Sequence, residues 1–220
     1  MSGRVYRMRR ARIRGRFVSV PDDHHAATSN RPKPDVRIVH LTGPVFDSLA
    51  RGDLAGATAT SPVPLTAYLA GPDRRGLWQR RSRQVAADPG SAAWVTGVIW
   101  DQRRLLAVGT AGYHGPPDTA GMVEIGYAVD PAHRRRGYAR AALESLLARA
   151  VQEPQVHTVR VTISPGNTAS YRLASQYGFV KVGEQWDDED GLEIIYEIPA
   201  DHLWPCRRDR AVWPVARVGG

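Results

Sequence analysis

The chain has a single cysteine in 220 residues, Cys206, which stands beside Arg207 and Arg208 near the C-terminus. One thiol excludes a disulfide within the chain and a cluster of thiolates around zinc. Cys206 reads as a bland tail thiol. Lysine is nearly missing as well: Lys33 and Lys181 are the only two, so almost all positive charge is arginine. No run approaches 18 consecutive apolar residues, and the first twenty residues lack the apolar stretch of a secretory signal. The chain is therefore expected to be cytoplasmic, with no membrane partner. Neither a G-x-G-x-x-G pattern nor a phosphate-loop lysine motif occurs. His24 and His25 fall in a polar stretch, His114 and His133 in loops, and no pair has metal-ligand spacing, so no metal is assigned.

Acidic residues are absent from residues 1–20, which carry Arg4, Arg7, Arg9, Arg10, Arg12, Arg14 and Arg16. That arm holds most of the net charge of +8; elsewhere 23 basic residues face 22 acidic ones. A nearly neutral body with one arginine-rich end does not make a nucleic-acid-binding protein by composition alone.

What is present is one sizeable soluble domain. Residues 1–34 join the arginines to "PDDHHAATSNRPKP" without helical apolar periodicity and read as a basic disordered arm. The folded domain is expected from 35 to 199, with an irregular tail over 200–220 that contains Trp204 and Trp213. "VRIVHLT" alternates as a half-buried strand does, "VFDSLARG" and "PLTAYLAG" suggest short helices, and a further helix runs from about Arg74 to Ala87. "AWVTGVIWD" and "LLAVGTAGYHG" form a plausible antiparallel hairpin around "QRR". "MVEIGYAVD" is a strand over 122–130. In "YARAALESLLARAV", Ala139, Leu143, Leu146, Leu147 and Ala150 recur at helical spacing and mark one buried face. "HTVRVTIS" is a strand, "NTASYRLASQY" a helix between Asn167 and Gly178, and "GFVKVGEQW" and "LEIIYEIP" are two strands joined by "DDEDG". Those four adjacent acids lack the alternating spacing of a calcium loop and read as a hairpin turn, or else as a cation-attracting rim that would suit an amine substrate.

Between the strand at 122–130 and the helix after it lies R-x-x-G-x-A, Arg134 to Ala139. A helix start offers unpaired N–H groups and the positive end of its dipole, which suits a pyrophosphate. Gly137 lets backbone approach phosphate closely, Ala139 keeps the first turn small, and Arg134, Arg135 and Arg136 add charge.

With this loop in its setting, "VEIGYAVDPAHRRRGYARAALESLL" followed by "NTASYRLASQYGFVKVGE" resembles the GNAT superfamily of acetyl-CoA-dependent N-acyltransferases, most of all its Rim-like, ribosomal-protein-type branch. The resemblance covers residues 122–198, is compatible with 35–121, and includes neither tail. It implies an α/β fold: a mixed, mostly antiparallel seven-stranded sheet with flanking helices, whose fourth and fifth strands, about 122–130 and 157–164, splay apart to admit the pantetheine arm of acetyl-CoA. Backbone groups around Tyr127, Ala128 and Val129 would bond that arm. Arg134, Arg135, Arg136, Gly137, Tyr138, Ala139 and Arg140 would form the pyrophosphate loop, and Asn167 would contact the cofactor or merely cap its helix.

The reaction so implied moves an acetyl group from acetyl-CoA to a primary amine by direct attack; the acceptor is a protein N-terminus, a lysine side chain or a small amine. An alkyl ammonium has a pKa near ~10.4, so a base is useful at neutral pH. Glu124 is the first candidate, because strand parity puts it on one face with the small residues Gly126 and Ala128, unless a bulge breaks that parity. Glu184, Asp187, Asp188, Glu189 and Asp190 are alternatives. Many relatives carry a tyrosine seven residues after the motif asparagine; Ala174 stands there in this chain. Ser170 matches the serine of the Rim-like branch and is the expected general acid, with Tyr171 the other nearby hydroxyl. A competing reading is a non-catalytic acyl-CoA sensor whose arginine arm binds nucleic acid or ribosome. The resemblance leaves room for a homodimer.

Overall fold

The computed structural model describes residues 9–13, 16–20, 32–188 and 191–203. The chain divides into two units, residues 1–33 and 34–220. In the first, β1 (Arg9–Ile13) pairs antiparallel with β2 (Arg16–Val20), in register from Arg9 opposite Val20 to Ile13 opposite Arg16. A hairpin thus occupies part of the segment expected to be a disordered arm. Its sequence has the period of a strand, with Arg10 and Arg12 alternating with Ala11 and Ile13, and a partner rich in β-formers.

The second unit is a seven-stranded sheet between two layers of helices. Its strands are β3 (Val36–Val39), β4 (Gly97–Asp101), β5 (Leu106–Tyr113), β6 (Met122–Val129), β7 (Thr158–Ile163), β8 (Val180–Asp187) and β9 (Gly191–Pro199), in the spatial order β3-β4-β5-β6-β7-β9-β8. Every pairing is antiparallel except that of β6 with β7. This is the mixed, mostly antiparallel sheet expected from the sequence.

On one face lie α1 (Gly43–Arg51), α2 (Leu54–Thr60) and α3 (Pro72–Ala87). Phe46, Leu49 and Trp78 are fully buried there with Val95 and Val98. Sequence periodicity predicts a helix at "PLTAYLAG" and none at "LAGATAT"; the structure reverses this. Asp53 caps α2 by accepting a bond from the Gly56 N–H at 2.9 Å. Residues 67–70 make one turn only, which Gly71 ends, and the Leu69 carbonyl accepts the Trp78 indole N–H at 2.6 Å. The apolar spacing of Leu65 and Leu69 served core packing rather than a helix.

On the other face, α4 (Tyr138–Gln152) buries Ala142, Leu143, Leu146, Leu147 and Ala150 against β5, β6 and β7. The short α5 (Thr168–Ala174) follows β7. Ala200 and Leu203, assigned by sequence to the tail, lie in this core within a 3-10 turn. Trp204, Cys206 and Trp213 are outside the described residues.

Candidate active site

Parallel pairing of β6 with β7 lasts for three positions, Met122, Val123 and Glu124 opposite Thr158, Val159 and Arg160. Beyond that no rung joins them: β6 stays with β5 from Ile125 to Val129, while β7 stays with β9 from Val161 to Ile163. The strands diverge and leave a wedge at their C-terminal ends. Tyr127, Ala128 and Val129 border it from β6, although the Val129 carbonyl already accepts a bond from Arg134 Nε at 3.2 Å.

At the outer end of the wedge the chain turns through Pro131–His133 into α4. Gly137 precedes the helix at φ 87°, a left-handed conformation suited to glycine, and no side chain caps the first turn. Arg135 is left-handed too, at φ 61°, and exposed with Arg136. His133 Nδ1 in this loop is buried without a hydrogen-bond partner, and so is Tyr68 Oη from the turn at 67–70, which feels the charges of Arg74, Asp130 and Arg134. Uncapped N–H groups, unpaired polar atoms and two exposed guanidiniums fit the pyrophosphate of a bound CoA ester.

Two residues assigned to this loop do other work. The Tyr138 hydroxyl, fully buried, donates to Asp101 Oδ2 at 2.5 Å and ties α4 to the end of β4. Arg140 bonds Gln176 Oε1 at 2.5 Å and the Tyr177 hydroxyl at 3.2 Å, which holds α4 to the segment after α5.

The inner end of the wedge opens into a cavity of about 400 Å³ whose lining includes Glu124, His114, Ser170, Asp187 and Glu193. The β5–β6 register runs without a shift, so Glu124, Gly126 and Ala128 do share a face. Glu124 Oε1 accepts the Thr162 hydroxyl at 2.6 Å and lies 3.5 Å from His114 Nδ1. His114 follows β5 directly, and its N–H donates to the Glu124 carbonyl at 2.8 Å, which places the two residues opposite each other. From α3, Arg81 and Gln84 both donate to the His114 carbonyl, at 3.1 and 2.9 Å. The sequence places His114 in a loop; only the cross-strand register brings it to Glu124.

Asn167 caps α5, its Oδ1 accepting the Ser170 N–H at 3.1 Å, and it also lines the cavity. The Ser170 side chain bonds the Tyr127 hydroxyl, whose pKa burial raises and this bond lowers, for a net rise. Tyr171 turns away to pack on Tyr196, with ring centroids 5.6 Å apart, and is half exposed. Of the alternative acids, Asp187 lines the cavity, whereas Glu184 is paired on the surface with Lys181 at 2.6 Å. Asp188 lies in the turn after β8, and Glu189 and Asp190 are outside the described residues. Among the described residues no group of three or more His, Cys, Asp or Glu is placed to hold a metal ion, and no helix is long and apolar enough to cross a membrane.

Comparison with known proteins places this geometry. The chain is 34% identical over 91 residues to an uncharacterized N-acetyltransferase, YjdG, of Bacillus subtilis (strain 168), covering 41% of this chain and 54% of that protein. It is 42% identical over 98 residues to the L-2,4-diaminobutyric acid acetyltransferase of Streptomyces anulatus, covering 40% and 56%. The chain thus spans about half the length of the curated relatives it matches. The crystal structure of a ribosomal-protein-S5-alanine acetyltransferase from Vibrio fischeri shares the fold, with a TM-score of 0.52 at 18% identity over 76% of this chain and 92% of that one. The family model described as acetyltransferase (GNAT) domain matches residues 50–180, more than half of the sequence and all of the wedge and loop. With strands parting where that match lies, the chain belongs to the GNAT acetyltransferase-domain family.

Proposed function

We propose that the domain beginning near Asp35 transfers an acetyl group from acetyl-CoA to a small primary amine. The observation that carries this reading is the wedge between β6 and β7, which joins an uncapped, arginine-rich helix start at one end to a polar cavity at the other. Acetyl-CoA, when bound, supplies an activated thioester carbonyl. Arg135, Arg136 and the first N–H groups of α4 hold its pyrophosphate, and backbone along Tyr127–Val129 lines its arm. Glu124, Asp187 and Glu193 give the cavity carboxylates that attract a cationic amine. Glu124 helps to remove the ammonium proton, and the Ser170 hydroxyl, backed by Tyr127, returns a proton to the departing sulfur.

A recess of about 400 Å³ suits a small acceptor, and the relative named as a diaminobutyric acid acetyltransferase supports the same reading. The test is CoA release measured with saturating acetyl-CoA and a panel of amines: a diamino acid, a polyamine, free lysine and a peptide with a free N-terminus. The small amines are expected to be turned over fastest. Binding of acetyl-CoA with no release above the hydrolysis rate for any amine refutes the reading.

A further inference from the structure

We propose that His114 is the catalytic base of this site, its Nε2 taking the proton of the acceptor ammonium while Glu124 orients the ring. This rests on the acetyl-transfer reading and assigns the proton transfer within it. Glu124, the obvious base, is poorly placed to meet substrate itself. Its side chain is 16% exposed and its Oε1 is engaged by Thr162, whereas the His114 side chain is 48% exposed and lines the cavity beside it. The 3.5 Å approach of Glu124 Oε1 to Nδ1 favours the tautomer with its proton on Nδ1, which leaves the Nε2 lone pair on the far side of the ring. Nε2 stands over Gly126, where a Cβ would lie 2.9 Å from it. A glycine at that point of β6 keeps the cleft side of the ring open.

The base is held from behind: Arg81, itself buried and bonded to Thr96 at 3.1 Å, and Gln84 fix the His114 carbonyl. Its charged neighbours come from three elements. Burial lowers the imidazole pKa most, Glu124 of β6 raises it, Arg81 and Arg80 of α3 lower it, and Asp187 of β8 raises it, for a net fall below 6.5. The ring is thus neutral at pH 7 and able to accept. In the step, the ammonium N–H breaks as Nε2–H forms. The freed amine lone pair makes the new C–N bond to the acetyl carbon as the carbonyl opens to an alkoxide. When the alkoxide collapses the C–S bond breaks, and the second proton of the attached nitrogen passes through the Ser170 hydroxyl or water to the sulfur, leaving the amide and the CoA thiol. The imidazolium then loses its proton to solvent.

The experiment compares His114→Ala, His114→Gln and Glu124→Gln with wild type as pH profiles of CoA release, using the fastest amine found. It also includes titration of the His114 ring by NMR in the protein without ligand. Loss of the base should lower turnover ~10²-fold at pH 7, and the deficit should shrink as pH approaches ~10, where a substantial fraction of the amine is already neutral. A residue with only a structural role would give a loss constant with pH. Glu124→Gln should lower the ring's pKa further, since a raising charge is removed. The proposal is overturned if His114→Gln matches wild type at pH 7, or if its deficit is the same at pH 7 and pH 10. It is also overturned if Glu124→Gln leaves the ring's titration unmoved. A wild-type chain that releases no CoA overturns the acetyl-transfer reading, and this proposal with it.

Discussion

Replacing Asp101 should weaken the domain and its grip on acetyl-CoA together, because one carboxylate joins the β4–β5 turn to the start of α4. Asp101 is 1% exposed. It accepts the backbone N–H groups of Arg103 and Arg104, each at 3.0 Å, the Arg104 guanidinium at 3.0 Å, and the buried Tyr138 hydroxyl at 2.5 Å. In Asp101→Ala the hydroxyl loses its acceptor inside the core, while the two N–H groups belong to exposed turn residues that water can reach. An unsatisfied buried donor costs about 1–3 kcal/mol. With loss of the turn, a total near 3 kcal/mol is expected, or a melting temperature lower by about 6–12 °C for a domain of this size. Because Tyr138 is the residue after Gly137, acetyl-CoA titrations should also show weaker binding.

The pH dependence has a definite sign. Burial pushes the Asp101 carboxyl up, but bonds from Tyr138, from the Arg104 N–H and guanidinium, and from the Arg103 N–H bring it below its ordinary 3.8. A depressed carboxyl stabilises the fold above its unfolded pKa, and that contribution is lost as pH falls through the folded value. The gap between wild type and Asp101→Asn should therefore be constant near neutrality and close below about pH 4. Thermal melts of the variants from pH 7 to pH 3 measure it. A melting point for Asp101→Ala within about 1 °C of wild type at pH 7 would refute the account, since even the low end of the cost predicts about 2 °C.

Saturating acetyl-CoA, at ~100 times its dissociation constant, should stabilise the chain by about 2.7 kcal/mol in a melting assay. Gly137→Val should lessen that gain, because φ 87° strains any branched residue. Ser170→Ala should depress turnover ~10²-fold with little change in acetyl-CoA affinity, whereas Tyr171→Phe, its ring packed on Tyr196, should change neither; steady-state CoA release beside a cofactor titration separates them. Deleting residues 1–33 should leave CoA release intact and abolish any salt-sensitive nucleic-acid binding, as read by a binding titration at two salt concentrations.

Much of the fold was legible because apolar period and burial coincide. Leu143, Leu146, Leu147 and Ala150 mark one helix face and are buried, and Val159, Val161 and Ile163 alternate and are buried on β7. The loop before α4 was legible because glycine and arginine there have local reasons. Local pattern failed where tertiary contacts decide. "PLTAYLAG" has apolar spacing, yet its residues serve the Trp78 pocket. The histidine beside Glu124 is ten residues away in sequence, and only the β5–β6 register brings them together. The bond between Ser170 and Tyr127 crosses from α5 to β6, so it could not be read from either segment alone. Tyr138 and Arg140 stand in the loop pattern by position; that their side chains reach Asp101 and Tyr177 depends on burial and distance that the pattern does not show.

Three rungs between β6 and β7 have a mechanical meaning. They are the only paired strand positions that join a four-stranded plate, β3 to β6, to a three-stranded plate, β7, β9 and β8, among the described residues. A sheet stitched so briefly can flex about the seam like a book about its spine, with the shared core against α4 as the binding. A donor lying in the gap would touch both pages at once. Its arrival and departure would then be felt as a change in stiffness across the fold.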